Sequence, residues 1–574
     1  MLSFDIDKEA FIKLTFGLKN PCLIQLLARV DPKCFTCSPL ELYNNLRNAE
    51  NSGPIHYSYL LESVEKQAAR ARYSFVGNNP DCLVKISDRI VSLRLLNPKA
   101  SALFKTIRCK LEEVCGPELI KKEKGIKENI ENRTELENPE EFTVIIPEGK
   151  DAFDALHMVF PPANGVELKN ASFFERQTFL GGAIGYTAYD AIYDSWLGVH
   201  KGFESEIPEL QYLLVSKTFV FDHLTEDLYI VVTPFVDLDS SPEKIYEESL
   251  SEAEKLYSCL GESVKLESTK KDSKYSSESS FPLNEIERKV SQSFPAFSDP
   301  SEMLCNSDRK DFEAAVLQTK EHILAGDIFQ AVLSRKCEFT LEKIPFELYL
   351  QLREINPSPY MYIFEFEELA IVGASPETLM TVHKRTVITN PIAGTCPRGK
   401  SETEDEFFAS HMLQDEKERA EHVMLVDLGR NDVRMVAESG SVKVSEFMKV
   451  LKYSHVQHIE STVSGRLRPE CDQFDAFRAI FPAGTLSGAP KIRAMEIISE
   501  LENSPRGIYG GGVGYYSWNG DADFAIVIRT MLIKGKKAIV QAGAGIVADS
   551  NPEYEFKETE RKMAAMLTAI SGEI

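Results

Sequence analysis

A long uncharged apolar run is missing from this 574-residue sequence. No segment approaches the ~18 residues that a bilayer-spanning helix needs, and the opening MLSFDIDKEAFIKL carries acids where a signal peptide has its apolar core. A cytoplasmic protein without membrane contact is expected. Positive charge is scarce as well: 65 Lys and Arg stand against 88 Asp and Glu, a net charge of −23. That balance disfavours nucleic acid and anionic membranes as partners, and an anionic substrate has to be met by local cations or a metal. Cysteine is sparse, scattered and odd in number, 11 in all, which suits reduced thiols. The lone CxxC of Cys34 and Cys37 lacks a second pair to complete a zinc site. Nucleotide fingerprints are missing too. Gln541–Gly545 (QAGAG) is not GxGxxG, and GTLSGAPK (484–491) fails the P-loop spacing while Pro490 removes an amide. His455 and His458 in YSHVQH have neither the HExxH glutamate nor a third zinc ligand, so a structural role is expected for at least one of them.

There is chain enough for at least two packed units, since a single core stops growing near ~250–300 residues. Residues 117–142, rich in Lys, Glu and Asn, read as a solvated loop. Residues 262–300, rich in Ser and charge, read as the main divide between an N-terminal half (1–300) and a C-terminal region (301–574). Beyond it, Phe312, Val316 and Ile323 fall at helical spacing, with Ser307 or Asp308 as N-cap and Gly326 as stop. In DIFQAVLSR, Ile328, Gln330 and Val332 alternate with Phe329, Ala331 and Leu333, as in a strand buried on both faces, where Gln330 needs a hydrogen-bond partner. A helix around 405–430, a strand near 456–467, helices near 472–480 and 489–502, and strands near 507–517, 522–533 and 538–547 follow. A final helix starts at Asn551-Pro552. Strands and helices alternate too irregularly for a pure βαβ fold, so the class is mixed-sheet α+β. GGAIGY (181–186) and GGGVGY (510–515) hint that both halves carry one kind of Gly-rich strand.

Chemistry concentrates in a few short segments. PIAGTCPRG (391–399) is punctuated like a turn, with a bare methyl, Ala393, at its centre. Glu418 and Glu421, and Glu555 and Glu558, are each spaced i,i+3 and so share a helix face. Four converging carboxylates need a cation, and all-oxygen ligation suits Mg²⁺; the alternative is two solvated charged faces. Glu377 follows a Ser-Pro turn that could face a cleft. Arg529 interrupts the apolar pattern of DFAIVIRTMLI, and a buried guanidinium has to meet a carboxylate of the protein or of a ligand.

NPSPYMYIF (356–364), GASPETL (373–379), PIAGT (391–395), DEKERAEHVMLVDLGRND (415–432), YSHVQH (453–458), AGTLSGAPK (483–491), YGGGVGYY (509–516), IVIRT (526–530), QAGAGIV (541–547) and the Glu555/Glu558 helix together resemble the chorismate-utilising enzymes, over essentially residues 308–570. The N-terminal half matches more thinly, at YLLES (59–63), ARYSFVG (71–77) and FLGGAIGYTAYD (179–190). The resemblance implies that family's α+β fold, large mixed or antiparallel sheets packed as a sandwich with helices outside. It also implies a magnesium-dependent carbon–oxygen lyase in which Mg²⁺ bridges Glu421 and Glu558, supported by Glu418 and Glu555, and holds the ring carboxylate of chorismate. Tyr509, Arg529 and the segment Gly543, Ala544 and Gly545 would receive the enolpyruvyl carboxylate, and Gly394, Thr395 and Thr485 would line the substrate. Glu377 is implied as the general acid for loss of the C4 hydroxyl, and His458 as the residue associated with removal of the C2 proton.

The nucleophile distinguishes family members. Those that use water place an activating lysine where this chain has Gln330, and those that form aminodeoxychorismate place a lysine in PIKGT, where this chain has Ala393. Amination by free ammonia to anthranilate and pyruvate, in tryptophan biosynthesis, is therefore the implied reaction. Aminodeoxychorismate synthesis without that lysine, and a non-catalytic tryptophan-sensing relative, are the alternatives. The chain has no GxCxGxQ elbow, so use of glutamine implies a separate glutamine amidotransferase subunit and a hetero-oligomer. Leu61, Glu62 and Ser63, with Pro359, Tyr360 and Met361, resemble the family's feedback site for L-tryptophan.

Overall fold

The computed structural model describes residues 2–49, 57–63, 72–116, 119, 140–199, 205–261, 303–452 and 456–571. The expected linker 262–300, His455 and, apart from Leu119 and residues 140–142, the charged stretch 117–142 lie outside the described residues. Two 12-stranded sheets carry the fold, with a three-stranded sheet beside them. Pairing within both large sheets is antiparallel throughout, as in Gly512–Ser517 against Ala522–Ile526 and Gln330–Thr340 against Lys537–Ile546.

Alternation along the strands explains the layering. In Leu210–Val215, Leu213 and Val215 enter a core between the two sheets, while Leu210, Tyr212 and Leu214 enter a second core under outer helices. In Tyr360–Phe366, Tyr362, Phe364 and Phe366 face the same inter-sheet core, and Met361 and Ile363 face a third core beneath helices on the opposite side. Strands buried on both faces have no polar side, which is why their sequences read as continuous apolar runs. The result is a helix–sheet–sheet–helix sandwich, the expected α+β class. Among the described residues, no helix is long and apolar enough to cross a membrane.

Both sheets repeat one strand order on either side of a seam. Outward from the seam, one sheet runs Tyr360–Phe366, Leu369–Ser375, Thr530–Lys534, Lys537–Ile546 and Gln330–Thr340 on the C-terminal side. The N-terminal side runs Tyr57–Glu62, Tyr73–Asn78, Lys217–Asp222, Asp227–Val232 and Leu26–Val30. In the other sheet the two glycine-rich strands are the seam itself: Gly182–Thr187 pairs with Gly512–Ser517, with Gly185 opposite Gly514. The hint of duplication in GGAIGY and GGGVGY thus becomes a topological fact. The divide expected near residue 300 does not separate two cores, because strands from both sides share each large sheet and each of the three largest cores.

Each half has one pair of adjacent crossings between the sheets, and the C-terminal half also visits the sheet of Gln330–Thr340 at Gly488–Ala489, between Val456–Arg466 and Gly512–Ser517 of the other. In the C-terminal half the paired crossings are Pro376-Glu377, between Leu369–Ser375 and Thr378–His383, and Val527–Arg529, between Ala522–Ile526 and Thr530–Lys534. They stay hydrogen-bonded to each other, Ile526 N to Glu377 O at 3.0 Å and Ala374 N to Arg529 O at 3.1 Å. In the N-terminal half the counterparts are the 79–81 segment and Ser216, joined through Asp81 N to Leu214 O at 2.8 Å.

Several local expectations are corrected. The strand expected over 522–533 is two strands, broken where Arg529 adopts a left-handed φ of 49° at the crossing. The helix expected around 405–430 is two helices, Glu402–Gln414 and Glu416–Arg434, because Asp415 ends the first and caps the second, accepting from Lys417 N and Glu418 N. Phe329 is 70% exposed, since the strand starts only at Gln330. Two cysteines expected to be reduced, Cys305 and Cys337, are joined as a disulfide across directly paired positions, whereas Cys34 and Cys37 are free.

A Cβ on Gly185 would sit 2.1 Å from Gln211 O, and one on Gly514 2.0 Å from Asp523 O, both rigid backbone atoms. Gly185→Ala and Gly514→Ala should each cost about 1–3 kcal/mol or more, while Gly261→Ala, whose Cβ would meet nothing nearer than 3.7 Å, should stay within about 0.5 kcal/mol. Urea unfolding of the three variants checks this ranking.

Candidate active site

A cavity of about 290 Å³ opens beside the paired crossings of the C-terminal half, and its wall residues run from Gln330 to Lys562. Pro391-Ile-Ala-Gly-Thr395 forms one side. It is not the expected turn: Ile392–Pro397 is an edge strand, and its register slips between Ala393 and Thr395, where Gly394 takes a φ of +72°. The bulge re-aims the strand so that Ala393, Gly394 and Thr395 all border the cavity. Gly394 is required by its φ, and a Cβ there would also press on Glu418 Oε2 at 3.1 Å. The helix Glu416–Arg434 packs on this strand through Gly429, where a Cβ would meet Pro391 and Thr389 at 3.3 Å.

Glu377 sits on the first crossing, with Thr485 Oγ1 donating to its Oε1 at 2.9 Å. Burial pushes its carboxyl up to about 7, with Thr485 and the charge of Lys562 pulling the other way. Near neutral pH the group is therefore divided between acid and carboxylate, so a protonated fraction is available as a general acid. His458, on the strand Val456–Arg466, has Nδ1 2.9 Å from Gly394 O and 3.0 Å from Thr395 Oγ1. A carbonyl oxygen only accepts, so Nδ1 carries the hydrogen and Nε2 the lone pair. Burial lowers the His458 pKa and the Arg529 charge adds to that, so the neutral ring is favoured.

Arg529 Nη1 donates to Asn356 Oδ1 at 3.3 Å, and both Arg529 and Tyr509 line the cavity. Gly543 and Gly545 form a glycine wall of the cavity. A Cβ on Gly543 would lie 2.7 Å from both Leu333 O and Tyr509 Oη, and one on Gly545 2.6 Å from Gln330 Nε2, so a side chain at either place would crowd the residues that line the cavity. The expectation at Ala544 concerns its backbone amide; its methyl points into the core under the helices Arg309–Ala325 and Lys491–Leu501. Gln330 finds the partner its burial demands, Nε2 donating to Glu421 Oε1 at 3.3 Å, while its Oε1 is buried without one.

Of the four expected metal carboxylates, Glu421 lines the cavity and Glu418, Glu555 and Glu558 stand outside its walls. Among the described residues, no three His, Cys, Asp or Glu side chains converge closely enough to hold a metal ion. The donor set still fits a hard cation: burial and the neighbouring Glu421 raise the Glu418 pKa, and burial with a contribution from Glu558 raises that of Glu555. Glu558 pairs with Arg561 at 3.1 Å and Lys562 at 3.7 Å. Lys562, unnoticed in the sequence, borders the cavity and donates to Gly543 O at 3.0 Å. Its place four residues after Glu558, on the same helix face, was the available signal. Lys491 of the SGAPK segment is structural, bonded to Asp432 and Ile480 O.

The expected tryptophan residues meet on neighbouring strands, with Met361 opposite Glu62 and Tyr362 opposite Leu61. Strand alternation divides them. Leu61 and Tyr360 pack toward the inter-sheet core. Glu62 is buried toward the outer helix Pro345–Ile355, bound by Tyr349 Oη at 2.5 Å and Arg353 Nε at 2.6 Å, and Met361 lies in the core on that side. Pro359 precedes the strand and is half-buried. Among the described residues, the hydroxyls of Ser63 and Tyr515 are buried without partners, that of Tyr515 near Tyr360 and Asp523, which are hydrogen-bonded at 2.9 Å.

A sandwich of two such sheets with one glutamate-flanked cavity defines a class, and residues 120–568 match the description of chorismate binding enzymes. The chain belongs to the chorismate-binding enzyme family. Within it, the chain is 41% identical to an anthranilate synthase component 1 of Haloarcula marismortui, over 99% of this chain and 96% of that protein. The crystal structure of anthranilate synthase component I from Streptococcus pneumoniae superposes with a TM-score of 0.62 at 32% identity, covering 88% of this chain and 94% of that one. The menaquinone-specific isochorismate synthase MenF of Escherichia coli shares the fold, with a TM-score of 0.58 at 15% identity over 98% of both chains.

A raised carboxyl pKa has a thermodynamic signature. Between the ordinary value of 4.5 and about 7, folded Glu377 keeps a proton that the unfolded chain releases. Its contribution is fully present below the lower value and is lost as pH rises through the upper one. Urea unfolding at several pH values should show the wild type losing on the order of 3 kcal/mol relative to Glu377→Gln across that window.

Proposed function

We propose that this chain is the aminating and aromatising subunit of an anthranilate synthase, a lyase that converts chorismate and ammonia to anthranilate, pyruvate and water. The observation that carries the reading is the buried Glu377, hydrogen-bonded by Thr485 in a cavity whose Gln330 and Ala393 positions carry no amine. Ammonia adds at ring C2 while Glu377 gives its proton to the departing C4 hydroxyl, which leaves as water. The new ammonium group returns a proton to the Glu377 carboxylate. Neutral His458 then takes the C2 proton through Nε2 as the C3–O bond breaks, the ring becomes aromatic, and the departing pyruvate enolate is protonated at its methylene carbon to give pyruvate while His458 gives up the proton it took. Arg529, Tyr509 and the Gly543 and Gly545 wall orient the enolpyruvyl carboxylate, and Thr395 keeps the His458 ring in place. Glu421 and Glu558, supported by Glu418 and Glu555, would hold Mg²⁺, which supplies charge neutralisation and orientation for the ring carboxylate.

The ammonia comes from a separate glutaminase subunit, so the working form is a cytoplasmic hetero-oligomer in tryptophan biosynthesis. Tryptophan is the feedback inhibitor. The pairing of Leu61 with Tyr362 and of Glu62 with Met361, together with the buried hydroxyls of Ser63 and Tyr515 that have no partner among the described residues, supports a polar site between the sheets.

Chorismate, ammonia and Mg²⁺ should yield fluorescent anthranilate; 4-amino-4-deoxychorismate instead would move the chain to the other aminating branch of the family. Glu377→Gln should lower kcat by about 10²–10⁴, and unchanged turnover would remove its role. Isothermal titration should detect tryptophan binding in the wild type, and no heat of binding would sink the feedback reading.

A further inference from the structure

The catalytic cavity takes all its wall residues from Gln330 onward, so the N-terminal half touches the chemistry only indirectly. It does so at one buried knot. We infer that Asp190 and Arg506 are positioning residues for this cavity, and that through them the N-terminal half sets the shape of the end that receives the enolpyruvyl carboxylate. The inference rests on the functional reading above.

Arg506 is 3% exposed, and its guanidinium joins segments that are distant in sequence. Nη1 donates to Leu486 O at 2.8 Å, next to the Thr485 that holds Glu377, and Nη2 donates to Val332 O at 2.5 Å, on the strand that begins with Gln330. The same guanidinium binds Glu502 at 2.7 and 2.8 Å. Glu502 in turn accepts from Ser334 N and Oγ, and Ser334 Oγ accepts from Gln541 Nε2 on the glycine wall. Three residues after Arg506 comes Tyr509.

The N-terminal half grips this knot from the other side. Asp190 accepts from Arg506 N at 3.1 Å and Gly507 N at 2.7 Å, Tyr189 N donates to Gly507 O at 2.9 Å, and the guanidinium lies 4.4 Å from the Tyr189 ring centroid. Taking a guanidinium and two carboxylates out of water costs several kcal/mol per ion before pairing, and an apolar cluster would fill the same space more cheaply. What an apolar cluster lacks is direction. A planar guanidinium fixes three acceptors in one geometry, and a lysine ammonium does not reproduce that fork.

Steady-state kinetics on the full chain, with chorismate affinity measured by isothermal titration and Tm alongside, test the inference. Asp190→Asn and Arg506→Lys should raise the chorismate KM and Kd by about 10-fold or more and leave the KM for ammonia within about twofold. Ser334→Ala removes only the hydroxyl shared by Glu502 and Gln541, and should raise both chorismate constants about threefold. Phe104→Leu, on the helix Ser101–Cys115 of the N-terminal half and outside both the cavity wall and this network, supplies a matched loss of Tm and should leave the chorismate KM within about twofold. Chorismate constants unchanged within about twofold in all three network variants, whatever their Tm, would overturn the inference. Should Asp190→Asn and Arg506→Lys not fold, Ser334→Ala decides alone. The titration reads affinity whatever product forms, so failure of the functional reading is separable from failure of this one.

Discussion

A chain that fills two sheets packed face to face has to leave one and enter the other, and at each crossing the backbone gives up its regular ladder. This constraint places the cavity. The crossings at Pro376-Glu377 and Val527–Arg529 bond to each other, Ile526 N to Glu377 O and Ala374 N to Arg529 O, so the ladder is mended between them. Their side chains, released from strand alternation, are free to face a common space. One delivers a carboxylic acid and the other a guanidinium in a left-handed conformation.

Everything else at the site is arranged around that pair. The bulge at Gly394 brings Thr395 and the His458 ring to one rim, the glycine wall borders the cavity without crowding it, and Thr485 holds the acid. Burial does two electrostatic tasks with one physical cause: it disfavours charge on Glu377 and on His458 alike. The acid is thereby shifted toward its protonated form and the base toward its neutral form in the same cavity.

Much of this was legible in the sequence because short motifs with Gly, Pro and charge at fixed offsets specify backbone geometry locally. PIAGT, GASPETL, the two glutamate pairs and IVIRT each name residues that stand at or beside the cavity. What stayed hidden is what depends on distant pairing. Arg529 was visible as an interruption, but a sheet crossing can be recognised only when both sheets are known. The disulfide joins two cysteines brought together by the pairing of Met303–Cys305 with Gln330–Thr340, a contact no local pattern announces. Phe329 reads as apolar core and is exposed because the ladder starts one residue later. Lys562 needed only the rule that residues four apart on a helix are neighbours.

The seam where Gly185 meets Gly514 also changes the kind of equilibrium that assembles the site. Two separate copies of this strand arrangement would have to find each other, and their union would weaken on dilution. Carried on one polypeptide, the encounter is intramolecular and insensitive to how much protein the cell makes. One copy is then released from the need to be identical to the other: its crossing at Asp81 and Ser216 can close up while its twin keeps an open cavity, and neither can drift out of stoichiometry.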